Sequence, residues 1–249
     1  MIFIVAGCSN ESNNQLKLVI GIDDDFAPIG FRDESGELVG FDIDLAKEAV
    51  KRLGVKAEFK SIDWKNKEAE ITSGNIDMIW NGLDITDERK EYMIFTKPYL
   101  DDRQILLVRA DSNLKIHSEY DMEGKIVGTQ VSSTSDDYIN ANPELKNNLK
   151  EYKVYGKFNE TVEALKNKEI DIVVCDELVA RYEMKHSLDK LKIVNVKVGE
   201  ISEMGVGFAK NNTELRDKVQ KVFDEMVKDG TAQKISLKWF NADLIKSAK

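Results

Sequence analysis

The sequence predicts an α/β protein of two βαβ-type lobes with a ligand cleft between them, joined by two crossover strands. Three observations predict it. Strand-like and helix-like segments alternate as βαβαβ from Leu16 onward, the order of a layered α/β architecture. The same plan returns further along the chain. A strongly amphipathic helix follows the second set of elements, placed to return to the first, so the chain crosses between lobes at least twice.

The elements follow in order. Leu18-Val19-Ile20-Gly21-Ile22 reads as a strand. Over 41–53, Ile43, Ala46, Val50 and Leu53 share one helical stripe, and Gly54 stops it. A strand at 56–60, a helix at 65–73 and an apolar strand at 76–80 complete the first unit. The second opens with a strand at 125–128 that runs into Ser132-Ser133-Thr134-Ser135, whose hydroxyls suit a helix N-cap. The stretch 162–174 then matches the shape of 69–80: a helix ends in a polar turn, and Ile-Asp enters an apolar strand. One strand leads into Asn81, the other into Asp176. Ligands of open α/β sheets bind beyond the carboxyl ends of their strands. That rule gathers Asp23, Asn81, Ser132 to Ser135 and Asp176 around one cleft. Near the end, Leu215, Val219, Val222, Phe223, Met226 and Val227 form a helical stripe, with Thr213 as cap in front and Gly230 behind. The expected lobes are 16–101 with 203–249, and 105–199, hinged near 101–104 and 200–203.

The 249 residues carry 36 Lys and Arg against 45 Asp and Glu, a net charge of −9, which excludes a nucleic-acid partner that needs clustered positive charge. No stretch past residue 10 approaches the ~20 apolar residues of a membrane span. No Gly-x-x-x-x-Gly-Lys-Ser/Thr pattern occurs, so energy for any transport comes from a partner. Of the two cysteines, Cys175 ends an apolar strand and reads as core. Cys8 differs: Val5-Ala6-Gly7-Cys8 resembles a bacterial lipobox, and the polar run from Ser9 to Gln15 suits a tether. Acyl chains on Cys8 would hold the protein at a membrane. No Lys or Arg precedes Cys8, and the apolar run is short for a signal peptide, so we expect residues 1–15 to be a signal remnant and tether.

Several segments in register carry a family resemblance. They are Gly21-Ile22-Asp23-Asp24-Asp25-Phe26-Ala27-Pro28, Gly40-Phe41-Asp42-Ile43-Asp44-Leu45, Asp84-Ile85-Thr86-Asp87-Glu88-Arg89 and Phe95-Thr96-Lys97-Pro98-Tyr99, followed by Asp171 with Asp176-Glu177, Gly205-Val206-Gly207-Phe208 and Asp229-Gly230-Thr231. From Leu16 to about Phe240 the chain resembles the polar amino-acid-binding proteins of ABC importers, solute-binding protein family 3, with a periplasmic-binding-protein type II fold.

The resemblance implies a site that physical chemistry can interpret. A free amino acid presents a carboxylate, an ammonium group and a side chain. Arg89 matches the carboxylate clamp, where a guanidinium offers a planar two-donor fork. Thr134 would add a helix N-terminus to the same carboxylate, and Gly82 a backbone donor. Asp176 matches the acid that holds the ammonium group, with Asp84 and the Asn81 carbonyl beside it. Phe26 and Trp64 match the aromatic walls, and Asp23 a position that reads the ligand side chain. Gln130 and Ser133 complete the implied set. Asp77 and Asp171, at the starts of buried strands, read as structural.

Asp84 stands where many relatives carry Ser or Thr, and arginine-binding members share its Asp-Ile-Thr pattern. Asp23, Asp84 and Asp176 outnumber Arg89, so a second positive charge on the ligand would offset their burial. A basic amino acid such as arginine or lysine is therefore favoured. Glutamine and cystine stay open, and Ile29 replaces an aromatic residue common after the Pro. The expected molecule is a monomeric, lipid-anchored binding component on the extracytoplasmic face of the membrane. It needs no cofactor or metal, captures a free polar L-amino acid by hinge closure, and delivers it to a permease with its ATPase subunits. The rival is an enzyme, since dehydratases and lyases share the fold. Against it, His117 and His186 sit in no catalytic motif, and catalysis does not require an amino-acid grip. A sensing domain would need a signalling segment after Lys249.

Overall fold

The computed structural model describes residues 17–187 and 190–246. The lipobox cysteine Cys8 and its tether lie outside these residues.

The first half begins with β1 (Lys17–Ile22), β2 (Asp25–Phe26), β3 (Gly30–Arg32) and β4 (Leu38–Val39), then α1 (Phe41–Leu53), β5 (Lys56–Ser61), α2 (Lys67–Thr72), β6 (Met78–Ile79), α3 (Asp87–Lys90) and β7 (Met93–Phe95). A long strand, β8 (Leu100–Arg109), leads into the second half. That half contains β9 (Ile126–Gln130), α4 (Thr134–Ala141), α5 (Pro143–Asn148), β10 (Glu151–Tyr155), α6 (Phe158–Lys166), β11 (Ile172–Asp176) and α7 (Glu177–His186). A second long strand, β12 (Leu191–Met204), returns the chain to β13 (Gly207–Ala209), α8 (Thr213–Lys228) and α9 (Thr231–Phe240).

The two sheets repeat one pattern. The first has the order β5-β1-β6-β13-β7 and the second β10-β9-β11-β8-β12. In each, the first strand of the unit lies between two parallel neighbours, and the next strand along is antiparallel. That antiparallel strand is β13, from late in the chain, in the first sheet, and β8, from early in it, in the second. This is the two-lobed, type II plan. The strands β8 and β12 pair along their length, from Leu191 opposite Arg109 to Met204 opposite Leu100, with register shifts around Val198. A small antiparallel sheet, β2-β3-β4, flanks the first lobe.

Helix α1 follows its sequence pattern. Ile43, Leu45, Ala46, Ala49 and Val50 are buried, and Gly54 ends the helix in the left-handed region. Its start needs glycine. Gly40 has φ +143°, and a Cβ there would lie 2.2 Å from the Ile29 carbonyl oxygen. The buried face of α8 (Val219, Val222, Phe223 and Met226) packs with α1 in the core, where Phe223 meets Trp80 and Tyr99 at ring distances of 6.2 and 5.8 Å. Helix α9, for which the periodicity gave no expectation, also packs on α1; Trp239 Nε1 donates to Asp44 across 2.8 Å. Thr213 is the first helical residue of α8 rather than its cap; Asn212 precedes it without a side-chain capping bond. The expected helix at 65–73 is a 3₁₀ turn at Trp64–Asn66 followed by α2. Asp77 and Asp171 tie strand starts together, accepting from the amides of Val19 at 2.7 Å and Ile126 at 3.0 Å.

Among the described residues, no helix is long and apolar enough to cross a membrane.

Candidate functional site

A cavity of about 450 Å³ lies between the lobes, at the carboxyl ends of the parallel strands. Asp23 follows β1, Asn81 and Gly82 follow β6, Gln130 ends β9 and Asp176 ends β11. These positions collect at one place because each parallel strand ends at the same edge of its sheet. Phe26, Trp64, Asp84, Arg89, Ser133 and Thr134 also line the cavity, so the structure brings all eleven expected ligand contacts to it.

Arg89 is 2% exposed and sits on the short helix α3, whose cap Thr86 accepts from the Arg89 amide at 3.2 Å. One guanidinium nitrogen, Nη1, donates to the Asp84 carbonyl at 3.0 Å, and Nη2 lies 3.7 Å from the Asp137 carboxylate. Its Nε is buried and meets no acceptor among the described residues. A buried guanidinium with an unmet donor at a cavity wall is a receptor for an anion.

Facing it stands a group of acids. The carboxylates of Asp84, Asp102 and Asp176 all lie within 4.8 Å of one another, and among the described residues no histidine or cysteine joins them. Asp84 accepts from Thr134 Oγ1, across the cleft, and from Ser202 Oγ at 2.7 Å. Gln104 bridges the other two. Its amide donates to Asp176 and, at 2.7 Å, to Asp102, while its carbonyl accepts from Ser135 Oγ. Burial pushes the Asp84 carboxyl up, opposed by Arg89. The Asp176 carboxyl is pushed up to about 6, first by burial and then by Asp84. This end of the cavity suits an ammonium group beside an anion clamp.

Ser133 caps α4, accepting from the Asp136 amide at 3.2 Å, which places Thr134 in the first turn. Gly82 requires a correction. Its amide lines the cavity wall but donates to the buried Asp42 carboxylate at 2.6 Å, so it is not free to hold a ligand. Asp42, in the first turn of α1, needs that donor together with the Tyr99 hydroxyl at 2.7 Å. The Asn81 side chain packs against Gly30, where a Cβ would meet its Oδ1 at 2.3 Å, and its amide nitrogen and oxygen are buried without a hydrogen-bond partner among the described residues.

The other end is simpler. Asp23, 5% exposed, accepts from Gln130 Nε2 at 2.6 Å, a bond that joins the lobes. Burial raises its carboxyl, and the Gln130 bond opposes the rise. Phe26 meets Phe158 edge-on at 5.9 Å across the cleft. Lys67 lies 5.6 Å from the Trp64 ring centre, and its ammonium donates to the Ser132 carbonyl of the opposite lobe at 2.9 Å. Burial brings the Lys67 amine down to about 8, and Arg89 adds to the shift. Asp84 groups with Asp102 and Asp176, so Asp23 is the cavity-lining carboxylate that stands apart from that cluster.

Sequence reasoning missed Gln104 and Phe158 in the cavity wall, and Asp102 behind it; Ser135, placed around the cleft from sequence, lines the wall. Alternation along β8 carries a signal for two of them. Leu100, Asp102 and Gln104 are buried while Asp101 is exposed, so two polar residues share the inward face of a crossover strand. Cys175 is a free thiol, 5% exposed, in the same wall.

Comparison with known proteins agrees with this geometry. The sequence pattern of the bacterial extracellular solute-binding proteins, family 3, matches residues 18–242. The L-cystine-binding protein TcyJ of Escherichia coli (strain K12) is 30% identical over 244 residues, which is 98% of this chain and 90% of TcyJ. An ABC uptake transporter substrate-binding protein from Streptococcus pneumoniae, solved with bound histidine, superposes with a TM-score of 0.87 at 38% identity, covering 93% of this chain and 95% of that one. An ancestral arginine-binding protein, solved bound to arginine, gives a TM-score of 0.83 at 39% identity over 90% of this chain and 98% of its own; an ancestral arginine-binding protein solved bound to glutamine gives 0.83 at 39% identity over 90% of this chain and 97% of its own.

Proposed function

The chain belongs to the bacterial extracellular solute-binding proteins of family 3, and from that premise we propose that it captures a free polar L-amino acid, with basic side chains favoured, for an ABC importer. The observation that carries the reading is the buried Arg89 guanidinium, with an unmet donor, facing the Asp84 and Asp176 carboxylates across one cavity. The ligand carboxylate lies on Arg89 and the first turn of α4. Its ammonium group lies among Asp176, Asp84 and the Asn81 carbonyl. The side chain passes between Phe26, Trp64 and Phe158 toward Asp23 and Gln130. An ionised Asp23 favours a cationic end.

Capture works by closure about the crossovers, near 101–104 and 200–203. The bonds Gln130 to Asp23, Lys67 to Ser132 and Thr134 to Asp84 all span the cleft, which supports a closed shape that a ligand touching both lobes would select. A membrane permease with its ATPase subunits then recognises that shape, and a lipid on Cys8 keeps the monomer at the extracytoplasmic surface. The grip holds both polar ends of an amino acid and offers no group poised for bond cleavage, which supports a binding role over a dehydratase or lyase.

One observation favours a second reading, in which glutamine or cystine is the ligand. Burial raises the Asp23 carboxyl, and a protonated Asp23 beside the Gln130 amide is a neutral polar wall. Calorimetric titration of the ligand-stripped protein against the common L-amino acids decides. Tight binding of arginine or lysine is the expected result. Tight binding of glutamine or cystine alone transfers the assignment to the second reading. No heat with any amino acid refutes both.

A further inference from the structure

The reading above uses Asp84 and Asp176 but leaves their neighbour Asp102 without a role. Asp102 sits on β8, 4% exposed. One of its oxygens, Oδ2, takes the Gln104 amide at 2.7 Å. The other, Oδ1, is buried and meets no donor among the described residues. A carboxylate oxygen of Asp102 lies within 4.8 Å of carboxylate oxygens of Asp176 and Asp84, and ionised carboxylates only accept. Two acceptors in a buried contact are reconciled by a proton between them.

Among the described residues the surrounding charges are held by other partners, and the Cys175 thiol near Asp102 and Asp176 is kept protonated chiefly by burial. On β8 itself, Arg103 is bound by Glu177 of α7 and Asp101 by Lys246 of the C-terminal tail. On β12, Glu203 is also bound to Lys246, and Ser202, opposite Asp102, donates to Asp84. From α4, Thr134 and Ser135 donate to Asp84 and Gln104. Arg89 of α3 already faces the Asp84 carbonyl and Asp137, and the ligand carboxylate is to occupy its free side. Asp102 and Asp176 lie in one sheet, Asp176 opposite Gln104 two residues along β8, so the pairing of β11 with β8 holds the two acids together.

We infer that Asp102 is a positioning residue for ligand capture: it shares a proton with Asp176 in the empty protein, and the α-ammonium of the incoming amino acid takes that proton's place. The inference rests on the amino-acid reading of the site. The exchange balances. One proton leaves the acid group for solvent, one ammonium charge enters, and the net charge of the buried cluster is unchanged. Burial raises both carboxyls; Asp176 adds to the rise at Asp102 and Asp84 to that at Asp176, while a side-chain hydrogen bond between Asp102 and Asp176 raises the first and lowers the second, as a shared proton requires. Binding therefore releases a proton, and affinity rises with pH while the empty pair still holds it.

Calorimetry with L-arginine and L-glutamine, neither of which titrates between pH 5 and 7, tests this in phosphate and in a buffer of large protonation enthalpy. The expected result is about one proton released per ligand, with affinity rising up to about tenfold per pH unit between pH 5 and 7. In Asp102→Asn the side-chain amide donates to Asp176 in place of the proton. Its proton release should fall by about one relative to wild type. Asp23, Asp25 and Asp137 remain in that variant, so the difference isolates Asp102. Binding with equal enthalpy in both buffers, or equal proton release in wild type and variant, overturns the inference and leaves the amino-acid reading standing. No heat with any amino acid overturns that reading instead. Carboxyl ¹³C NMR of the empty protein then still decides whether Asp102 and Asp176 titrate as a coupled pair; two independent, ordinary carboxyls would end the idea. Should Asp102→Asn fail to fold, Asp102→Ser and the NMR titration carry the test.

Discussion

At the Arg89 end of the cavity, polar groups from α3, the turn after β6, β8, β11, β12 and α4 converge, and most already hold one another. At the Asp23 end, one carboxylate and one amide face aromatic rings. The difference teaches what each end can specify. Every amino acid carries the same carboxylate and ammonium groups, so a dense, pre-paired network can be built for them once. In the proposed mode the ligand side chain would meet a sparse wall, where one carboxylate and its protonation would decide the choice. The relatives reflect that division: their names span cystine, histidine, arginine and glutamine on a shared fold.

The comparison can be broken at its strong end first. Arg89→Ala removes charge-assisted bonds worth roughly 1.5–3 kcal/mol each, so affinity should fall about 10²- to 10⁴-fold by calorimetry, with the far-ultraviolet spectrum unchanged. Retained affinity would show that the carboxylate lies elsewhere. The weak end comes next. Asp23→Asn should lower affinity for arginine and lysine by about 10- to 100-fold and spare glutamine. An unchanged ranking would deny Asp23 its role.

A third test addresses the scaffold under the strong end. Burial pushes the Asp42 carboxyl up to about 7, against its bonds to Tyr99 and Gly82, and Asp25 rises to about 6 by burial. The native state then holds protons that the unfolded chain has already released near pH 4. That stabilisation is present at low pH and is lost as pH rises through about 6 to 7. Carboxylates held low, such as Asp229 at about 2, have finished titrating by pH 5 and do not offset it. The melting midpoint should therefore be higher at pH 5 than at pH 8, at roughly 2–4 °C per kcal/mol for a chain of this size, and Asp42→Asn should narrow the gap. Equal gaps in both proteins would remove Asp42 from the account. The smallest effect is expected from Thr134→Val, which takes one donor from Asp84 and should weaken binding about three- to tenfold in the same titration.

Much of this architecture was legible because local signals agreed with it. Helix α1 combines a buried stripe with a left-handed glycine stop, and α8 repeats that arrangement with Gly230. The end-of-strand residues Asp23, Asn81 and Asp176 follow from topology once a parallel sheet is recognised, whereas Gln130 came only with the family resemblance. What escaped depends on long-range packing. Strands β2, β3 and β4 are two or three residues long, too short for a period to show. Phe158 opens a helix and would pass as core; only its edge against Phe26 of the other lobe makes it a wall. The Gly82 amide looked available because its acceptor, Asp42, is 40 residues away in sequence. Asp102 and Gln104 lay inside a segment understood as a connection, and a connection that is also a paired strand has an inward face.

The thiol in the cavity wall gives the molecule a built-in reporter. Cys175 is 5% exposed and its thiol is pushed up well above the usual range, chiefly by burial, so in the closed shape it is poorly reactive. Alkylation must wait for the cleft to part. With Cys8 replaced by Ser, this chain carries a single cysteine. The labelling rate of that one sulfur then counts how often the lobes separate, and its slowing by ligand measures occupancy with no engineered probe.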